Sequence, residues 1–285
     1  MYTDLHLHTN FSDGTYTPEF LTAEAKRFGL VAIALTDHDT IEGCDRMQVA
    51  CDSVGIEFIA ATELTAEFKG TEMHLLGYFI DTKHPRLLEE MGRFQEVRQN
   101  RIREMVARLR GLNIPITEEA VFALANCNSP GRPHIARALI DAKVCRSVDE
   151  AFERFLKKNR PAWVPKFKIS AADAIALIHE AGGLAVLAHP LLIRRDELIP
   201  DLVEAKLDGL ECYHTRHTPS ISEHYEMLAE HFNLLVTGGS DCHGMNKGKP
   251  LIGSIKLPYE NIRRMKARLR DNHPSRLVPE PSGTY

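Results

Sequence analysis

Short apolar runs alternate along the chain with longer stretches in which apolar residues recur every three to four positions. The runs predict seven strands, at residues 3–7, 31–36, 56–61, 74–79, 184–188, 209–213 and 234–238. The second, VAIALT, is nearly continuous in apolar residues, as expected for a strand covered on both faces. The periodic stretches predict helices over 18–28, 42–54, 171–181, 196–206 and 220–232. Each strand leads through a turn into a helix. Repeated β–α units imply an α/β fold with a parallel sheet, and seven of them suit a closed or nearly closed barrel.

One connection breaks this rhythm. Between residues 79 and 184 no strand is evident. A long helix is predicted over 85–109, with arginines at 93, 98, 101, 103 and 108, and GLNIPIT ends it with Gly111 and Pro115. Shorter helical pieces follow at 118–125, 133–142 and 148–157. Residues 83–166 therefore read as a helical insertion, a lid or substrate domain, dividing the barrel into 1–82 and 167–273. The Pro-rich end, 274–285, reads as a loose tail.

Composition narrows the class. With 44% apolar and 26% charged residues over 285 positions, the chain has the make-up of a folded globular protein. No apolar run is long enough to span a membrane, and MYTDLHLHT has no basic region leading into an apolar stretch. Six cysteines without CxxC spacing read as reduced thiols, so a cytoplasmic protein is expected. The net charge of −4 is unevenly spread: residues 83–168 carry 18 Lys+Arg and 10 Asp+Glu, so +8, leaving 17 and 29, so −12, elsewhere. A basic insertion on an acidic body suggests an anion-handling face beside a cation-handling one. The excess is small for non-specific duplex binding, and no duplex-reading motif accompanies it.

The 14 histidines concentrate where chemistry would sit. His6 and His8 are two apart on one strand, so they share a face and can ligate one cation. The second strand runs into TDHD, with Asp37, His38 and Asp39; the third reaches Glu63; the fifth ends in AHP at His189; the seventh runs into GGSDCHG, with Asp241 and His243. Asp13 follows the first strand in FSDG. In a parallel barrel the C-terminal strand ends form one mouth, where these groups would converge. His74 fits poorly, because it opens the fourth strand. A lone histidine at a strand end is usually core or surface. So many histidines and acids gathered without cations would be costly to bury, and the set predicts a shared metal site. Cys242 lies between two of these residues, and strand alternation points it the other way, into packing.

HLHTNFSDG, LTDHDT, the isolated Glu63 and His74, AHP and GSDCHG resemble, in order, the successive motifs of the PHP (polymerase and histidinol phosphatase) superfamily. The resemblance covers the body on both sides of the insertion. It implies a distorted (β/α)7 TIM-like barrel with a trinuclear centre of divalent ions at its mouth. One ion would take His6, His8, Glu63 and Asp241; a second would share Glu63 and add His74 and His189; a third would take Asp13, His38 and His243. Some members have histidine where Asp13 stands, and the mixed N/O set favours Mn²⁺, with Zn²⁺, Fe²⁺ or Mg²⁺ as alternatives.

NSPGRPHIARALID, FLKKNRPAWVP and GGLAVLAHP resemble the branch that hydrolyses nucleoside 3′,5′-bisphosphates, which also includes enzymes trimming short RNA from the 5′ end. Arg132 and His134 match its phosphate-contacting stretch, and ECYHTRHTP resembles a loop in which His217 would face the cavity. The implied reaction is hydrolysis of a phosphate ester by metal-activated water, releasing inorganic phosphate from a bisphosphate. Asp37 and Asp39 would orient ligand histidines or take a proton, and Phe167 or Trp163 could stack a base. The expected partner is a nucleotide or short RNA, with no membrane and no obligate protein partner. Three readings compete: a histidinol-phosphate phosphatase, which has little use for a +8 insertion, a non-catalytic metal-binding PHP module, against which stands the complete ligand set, and a DNA-directed nuclease, against which stand the modest net charge and the lack of a duplex-reading motif.

Overall fold

The structure is a computed structural model that describes residues 1–272; the tail read at 274–285 lies outside the described residues. Among the described residues nine strands occur in chain order: β1 (Tyr2–Leu7), β2 (Leu30–Leu35), β3 (Glu57–Phe68), β4 (Thr71–Tyr78), β5 (Ile169–Ser170), β6 (Leu184–Leu187), β7 (Gly209–His214), β8 (Leu235–Gly239) and β9 (Leu257–Pro258). The helices are α1 (Pro18–Arg27), α2 (Cys44–Val54), α3 (Pro85–Gly111), α4 (Glu118–Ala125), α5 (Arg132–Asp141), α6 (Val148–Ala151), α7 (Ala171–Glu180), α8 (Pro190–Ile193), α9 (Ile199–Glu204), α10 (Pro219–His231) and α11 (Glu260–Asn272). The sheet order is β8-β7-β6-β4-β3-β2-β1-β9, with β5 on the side of β3. The seven expected strands are the long ones; the two-residue β5 and β9 carry too little pattern to be seen in advance.

The sheet curls until β8 lies beside β1. There Ser240 N–H donates to Asp4 Oδ1 at 2.8 Å and Leu7 forms an isolated parallel bridge with Cys242. Any side chain at Gly239 would collide with the backbone of His6, so the close approach requires glycine. Leu5, Ala32, Ala34, Ile59, Ala61, Leu76, Tyr78, Leu184 and Val186 fill the ring, and Ile262, Met265 and Leu269 of α11 join the same cluster. Each such fully buried Leu- or Ile-sized side chain contributes ~1.5–3 kcal/mol.

The sheet is not wholly parallel, contrary to the expectation from repeated β–α units. β4 pairs antiparallel with both β3 and β6. No helix separates β3 from β4; they are joined at Lys69 and Gly70, both with left-handed backbones (φ 47° and 76°), as in a tight hairpin. Reversal of β4 brings its start, and with it His74, to the end of the ring where the parallel strands finish. The misfit of His74 came from strand direction and from a boundary set three residues late, since β4 begins at Thr71.

A second irregularity aims the first histidines. β1 pairs with β2 at Asp4↔Ile33 and next at Leu7↔Leu35, so a bulge intervenes. Leu5 lies in the interior cluster, yet Leu7 lies in the outer cluster with Leu21 and Met47. The extra residue resets the alternation and leaves His6 and His8 facing inward. Tyr78 Oη donates to the Leu5 carbonyl at 2.9 Å inside the ring.

The insertion is tied to the mouth by α3. Its stripe Leu87, Met91 and Phe94 packs on the barrel, while Ile102, Met105, Val106 and Leu109 join α4 and α5 in a separate cluster with Ile135, Leu139 and Leu156. Arg98 interrupts this apolar stripe and is nevertheless buried.

Candidate metal centre

Glu63, on β3 just past the ring, is buried among five imidazoles. Its Oε1 lies 2.7 Å from His74 Nδ1 and 3.0 Å from His189 Nε2. Its Oε2 lies 3.3 Å from Nε2 of both His6 and His8 and 3.0 Å from His38 Nδ1. Asp241 Oδ1 approaches His8 Nε2 at 3.3 Å and His6 Nε2 at 3.7 Å. Asp13 Oδ1 is 3.2 Å from His243 Nε2 and 3.9 Å from His38 Nε2. All nine side chains expected as ligands thus lie in one cluster. Their donor atoms fall into four sets within 4.8 Å: His8, Asp13, His38 and His243; His6, His8 and Asp241; His6, Glu63 and His189; His38, Glu63 and His74.

Hydrogen bonding alone does not satisfy this arrangement. A carboxylate offers about four lone-pair sites, fewer than the five imidazoles crowding Glu63. Buried atoms without a hydrogen-bond partner include His6 Nε2, both ring nitrogens of His8, His38 Nδ1, Asp13 Oδ1 and Glu63 Oε2. Donor separations near 3.0–3.3 Å match the ~3–3.4 Å between ligands that each sit ~2.0–2.2 Å from one cation. The donor set therefore fits divalent ions. The electrostatics agree. Burial opposes charge on Glu63, yet His38, His74 and His6 hold its carboxyl well below the usual range. Burial, His243 and His38 push His8 well below the ordinary histidine value, leaving it neutral and able to ligate.

A buried carboxylate on β7 holds this cluster in place. Glu211 on β7 is fully buried; its Oε1 is 2.9 Å from His6 Nδ1, and its Oε2 accepts from His189 N–H at 2.7 Å. The first contact fixes the tautomer that turns His6 Nε2 toward Glu63 and Asp241. Asp39, His189 and Asp241 all have left-handed backbones (φ 51°, 30° and 52°), uncommon outside glycine and recurrent where function over-determines the chain.

The PHP domain profile matches residues 4–115. Over 270 residues the chain is 32% identical to a 5′-3′ exoribonuclease of Haemophilus influenzae, covering 91% of this chain and 98% of that protein. The chain belongs to the PHP domain family. It is 31% identical to a phosphoribosyl 1,2-cyclic phosphate 1,2-diphosphodiesterase of Eggerthella lenta (89% and 98% covered) and 30% identical to a 3′,5′-nucleoside bisphosphate phosphatase of Chromobacterium violaceum (88% and 90% covered). A solved Bifidobacterium adolescentis protein described as a metal-dependent phosphoesterase superposes with a TM-score of 0.86 at 34% identity, covering 93% of this chain and 96% of its own.

In this PHP domain protein the two acids flanking His38 hydrogen-bond away from the clustered imidazoles. Asp37 accepts from Thr9 N–H at 2.8 Å and from the Thr9 and Ser12 hydroxyls at 2.5 Å, so it fixes the loop after β1. Burial pushes its carboxyl up to about 6 against those bonds. Asp39 accepts from Thr65 N–H at 2.8 Å and pairs with Arg98, Nε at 2.7 Å and Nη2 at 2.6 Å, pinning α3 over the mouth. Their hydrogen bonds go to the 9–12 loop, β3 and α3 rather than to the clustered imidazoles.

The expected substrate residues are placed unevenly. Arg132 opens α5, half-buried, donating to the Leu156 carbonyl at 3.3 Å and lying over the Phe152 ring at 5.3 Å. The preceding Gly131 abuts Asp13, its nearest Asp13 atom 3.7 Å from where a Cβ would stand. His134 is buried, and its Nδ1 accepts from Gly131 N–H at 3.0 Å, capping its own helix. Among the described residues, the cavity beside Asp241 is lined by His214 rather than by His217. The His217 ring sits 5.4 Å from His214, with Nδ1 2.8 Å from the Cys212 carbonyl. Phe167 is exposed under the Arg93 guanidinium at 5.0 Å, and Trp163 is half-buried.

Sequence reasoning missed Glu211, His214 and Arg98. The first two lie in the quoted ECYHTRHTP. A register shift between Glu211 and Tyr213 breaks the two-residue period and hides that both face inward. The available signal was a carboxylate inside an otherwise apolar strand, which needs a buried partner.

Proposed function

We propose that this protein is a divalent-metal-dependent phosphoesterase that breaks the O3′–P bond of 5′-phosphorylated nucleotides. Nucleoside 3′,5′-bisphosphates would yield a 5′-nucleotide and phosphate, and short 5′-phosphorylated RNA would be trimmed from its 5′ end. The observation that carries this reading is Glu63, with both oxygens inside a ring of five imidazoles and with Asp13 and Asp241 on either side.

Three ions are proposed, manganese first among them. His6, His8, Glu63 and Asp241 would hold one, Glu63, His74 and His189 a second, and Asp13, His38 and His243 a third. When bound, such ions lower the pKa of water and neutralise charge on a transferring phosphoryl group. The chain's own contribution is geometric and electrostatic. Glu63 spaces the ligand sets, and Glu211 orients His6. Asp37 holds the Thr9–Ser12 loop that carries the chain into Asp13. Arg132, on the Asp13 side, offers a planar fork of donors to phosphate oxygens.

The insertion, 83–166, acts as a lid. It is fastened by Arg98 to Asp39, by the Ser129 hydroxyl to the His38 carbonyl at 2.5 Å, and by Gln95 to Thr40 at 3.0 Å. Its +8 charge, counted to residue 168, suits a polyanionic nucleotide better than histidinol phosphate. The test is a product assay in Mn²⁺ with adenosine 3′,5′-bisphosphate, 5′-phosphorylated RNA and histidinol phosphate side by side. Release of adenosine 5′-monophosphate from the bisphosphate supports the proposal; turnover of histidinol phosphate alone overturns it.

A further inference from the structure

The proposed ligand sets differ in what holds them. Glu211 of β7 supports the His6 ring at 2.9 Å and the His189 N–H at 2.7 Å, and the His74 carbonyl accepts from Ala188 N–H at 3.0 Å. These supports come from the barrel itself. Asp13, His38 and His243 lie in loops beyond the ends of β1, β2 and β8. Each of those loops is reached from the insertion, by residues 127–137. Cys127 Sγ donates to the Ser12 carbonyl, beside Asp13, at 3.3 Å. The fully buried Ser129 donates from its hydroxyl to the His38 carbonyl at 2.5 Å. Arg137, in α5, donates to Asn246 Oδ1 from Nε at 3.0 Å and again from Nη2.

Asn246 is the joint of this arrangement. It stands in the short 3₁₀ turn that begins directly after His243. An amide side chain offers an acceptor at one corner and donors at the other. With Oδ1 occupied by the guanidinium, through charge-assisted bonds, the NH₂ is turned to the Asp13 carbonyl and donates to it. One side chain thus links α5, the turn after His243 and the loop that carries Asp13. Thr15 N–H closes the link on the barrel side, donating to the His243 carbonyl at 3.2 Å. The side chains carried on these backbones converge, and Asp13 Oδ1 and His38 Nδ1 are buried without a hydrogen-bond partner. Docking of the insertion fixes the three loops. A cation drawing the three side chains together fixes the same loops, and a segment already ordered by one partner costs the other less.

We propose that docking of the insertion and binding of a divalent ion at Asp13, His38 and His243 strengthen each other, with Asn246 as the positioning residue between them. The inference rests on the three-ion reading above, and it sets one ion apart from the other two. Ions held by His6, His8, Glu63, His74, His189 and Asp241 are supported from the barrel and do not sense the insertion. By linkage, the factor by which docking raises the affinity for the third ion is the factor by which that ion raises docking.

The test uses the full chain, stripped of metal, as wild type and as Arg137→Ala, Arg137→Lys, Asn246→Ala and Ser129→Ala. Calorimetric titration with Mn²⁺ counts the ions and gives their affinities. Hydrogen–deuterium exchange of the α5 amides, with and without Mn²⁺, reads docking. The wild type should take up three ions. Each alanine variant should weaken one of them about tenfold, inside the range usual for coupled sites, and leave the other two unchanged. Arg137→Lys, which keeps a charged donor, should restore part of the loss. Mn²⁺ should slow α5 exchange in the wild type by a similar factor, and by less in the variants. His243→Ala, which removes a ligand outside the insertion, should leave α5 exchanging as in the metal-free wild type. If Arg137→Ala fails to fold, Ser129→Ala, which loses a single hydroxyl, carries the same test. Wild-type affinity in every variant, equal weakening of all three ions, or α5 exchange indifferent to Mn²⁺ in the wild type overturns the coupling. Hydrolysis of adenosine 3′,5′-bisphosphate by the same proteins would then leave the phosphoesterase reading standing. A wild type that takes up two ions, with His243→Ala unchanged, overturns the third ion and the coupling together. Three ions coupled as described, in a protein that cleaves no phosphate ester, sink the phosphoesterase reading and keep the coupling.

Discussion

Glu211→Gln isolates the support of the metal centre from the centre itself. The side chain is fully buried and spans two contacts, His6 Nδ1 at 2.9 Å and His189 N–H at 2.7 Å. Glutamine keeps the volume but can accept from only one of these donors; its NH₂ must face the other. The charge that sets the His6 tautomer is also gone. Loss of such an outer carboxylate costs about 10–100-fold in metal affinity, or ~1.4–2.8 kcal/mol. The opposed buried donors should cost a further ~1–3 kcal/mol of folding stability. The assay is a Mn²⁺ titration of metal-stripped protein by calorimetry, paired with hydrolysis rate against Mn²⁺ concentration. Binding should weaken by one to two orders of magnitude, with most of kcat recovered at saturating metal. A variant that binds manganese as tightly as the wild type would refute the role of Glu211. So would one that stays inactive at saturating metal with its fold intact.

Other expectations follow from the same geometry. Arg98→Ala strands the buried Asp39 carboxylate and should destabilise the protein by about 3–5 kcal/mol in denaturant titrations. Burial alone would raise the Asp39 carboxyl, but Arg98 and Lys166 hold it well below the usual range. Its stabilisation is therefore present above about pH 4 and lost as pH falls, so the gap between wild type and Arg98→Ala should narrow at pH 3. Burial lowers His134 to about 4, below its unfolded value of 6.5, so the fold favours the neutral ring. Roughly 2–4 kcal/mol should be lost as pH drops through that interval. His134→Gln, which keeps an acceptor for Gly131 N–H, should flatten this dependence; an unchanged profile would exclude His134 as its source. His8→Ala and Asp241→Ala should each cut hydrolysis by on the order of 10³ while near-ultraviolet dichroism stays native. Near-wild-type turnover in both would remove them from the centre.

The parts of the protein that were legible in advance obey simple periods. VAIAL at residues 31–35 reads as a covered strand, and His6, His8, Asp37, His38 and Asp241 fall where apolar runs stop. What escaped depends on broken periods. The hairpin at Lys69–Gly70 reverses β4, but mixed polar residues over 64–74 disguise two strands as a loop. The bulges in β1 and β7 shift alternation by one residue, which puts Leu5 and Leu7 in different clusters and brings Glu211 and His214 to the same space. Arg98 sits in the apolar stripe of α3, where a linear reading counts it with the solvent-facing arginines; only the tertiary fold brings Asp39 to it.

The central claim, that scattered imidazoles and acids gather divalent cations, is tested most directly by anomalous diffraction. Crystals grown or soaked in manganese would be measured near the manganese absorption edge. The account predicts anomalous peaks ringed by His6, His8, Asp13, His38, Glu63, His74, His189, Asp241 and His243. An anomalous map with no peak among these side chains at saturating manganese would contradict it.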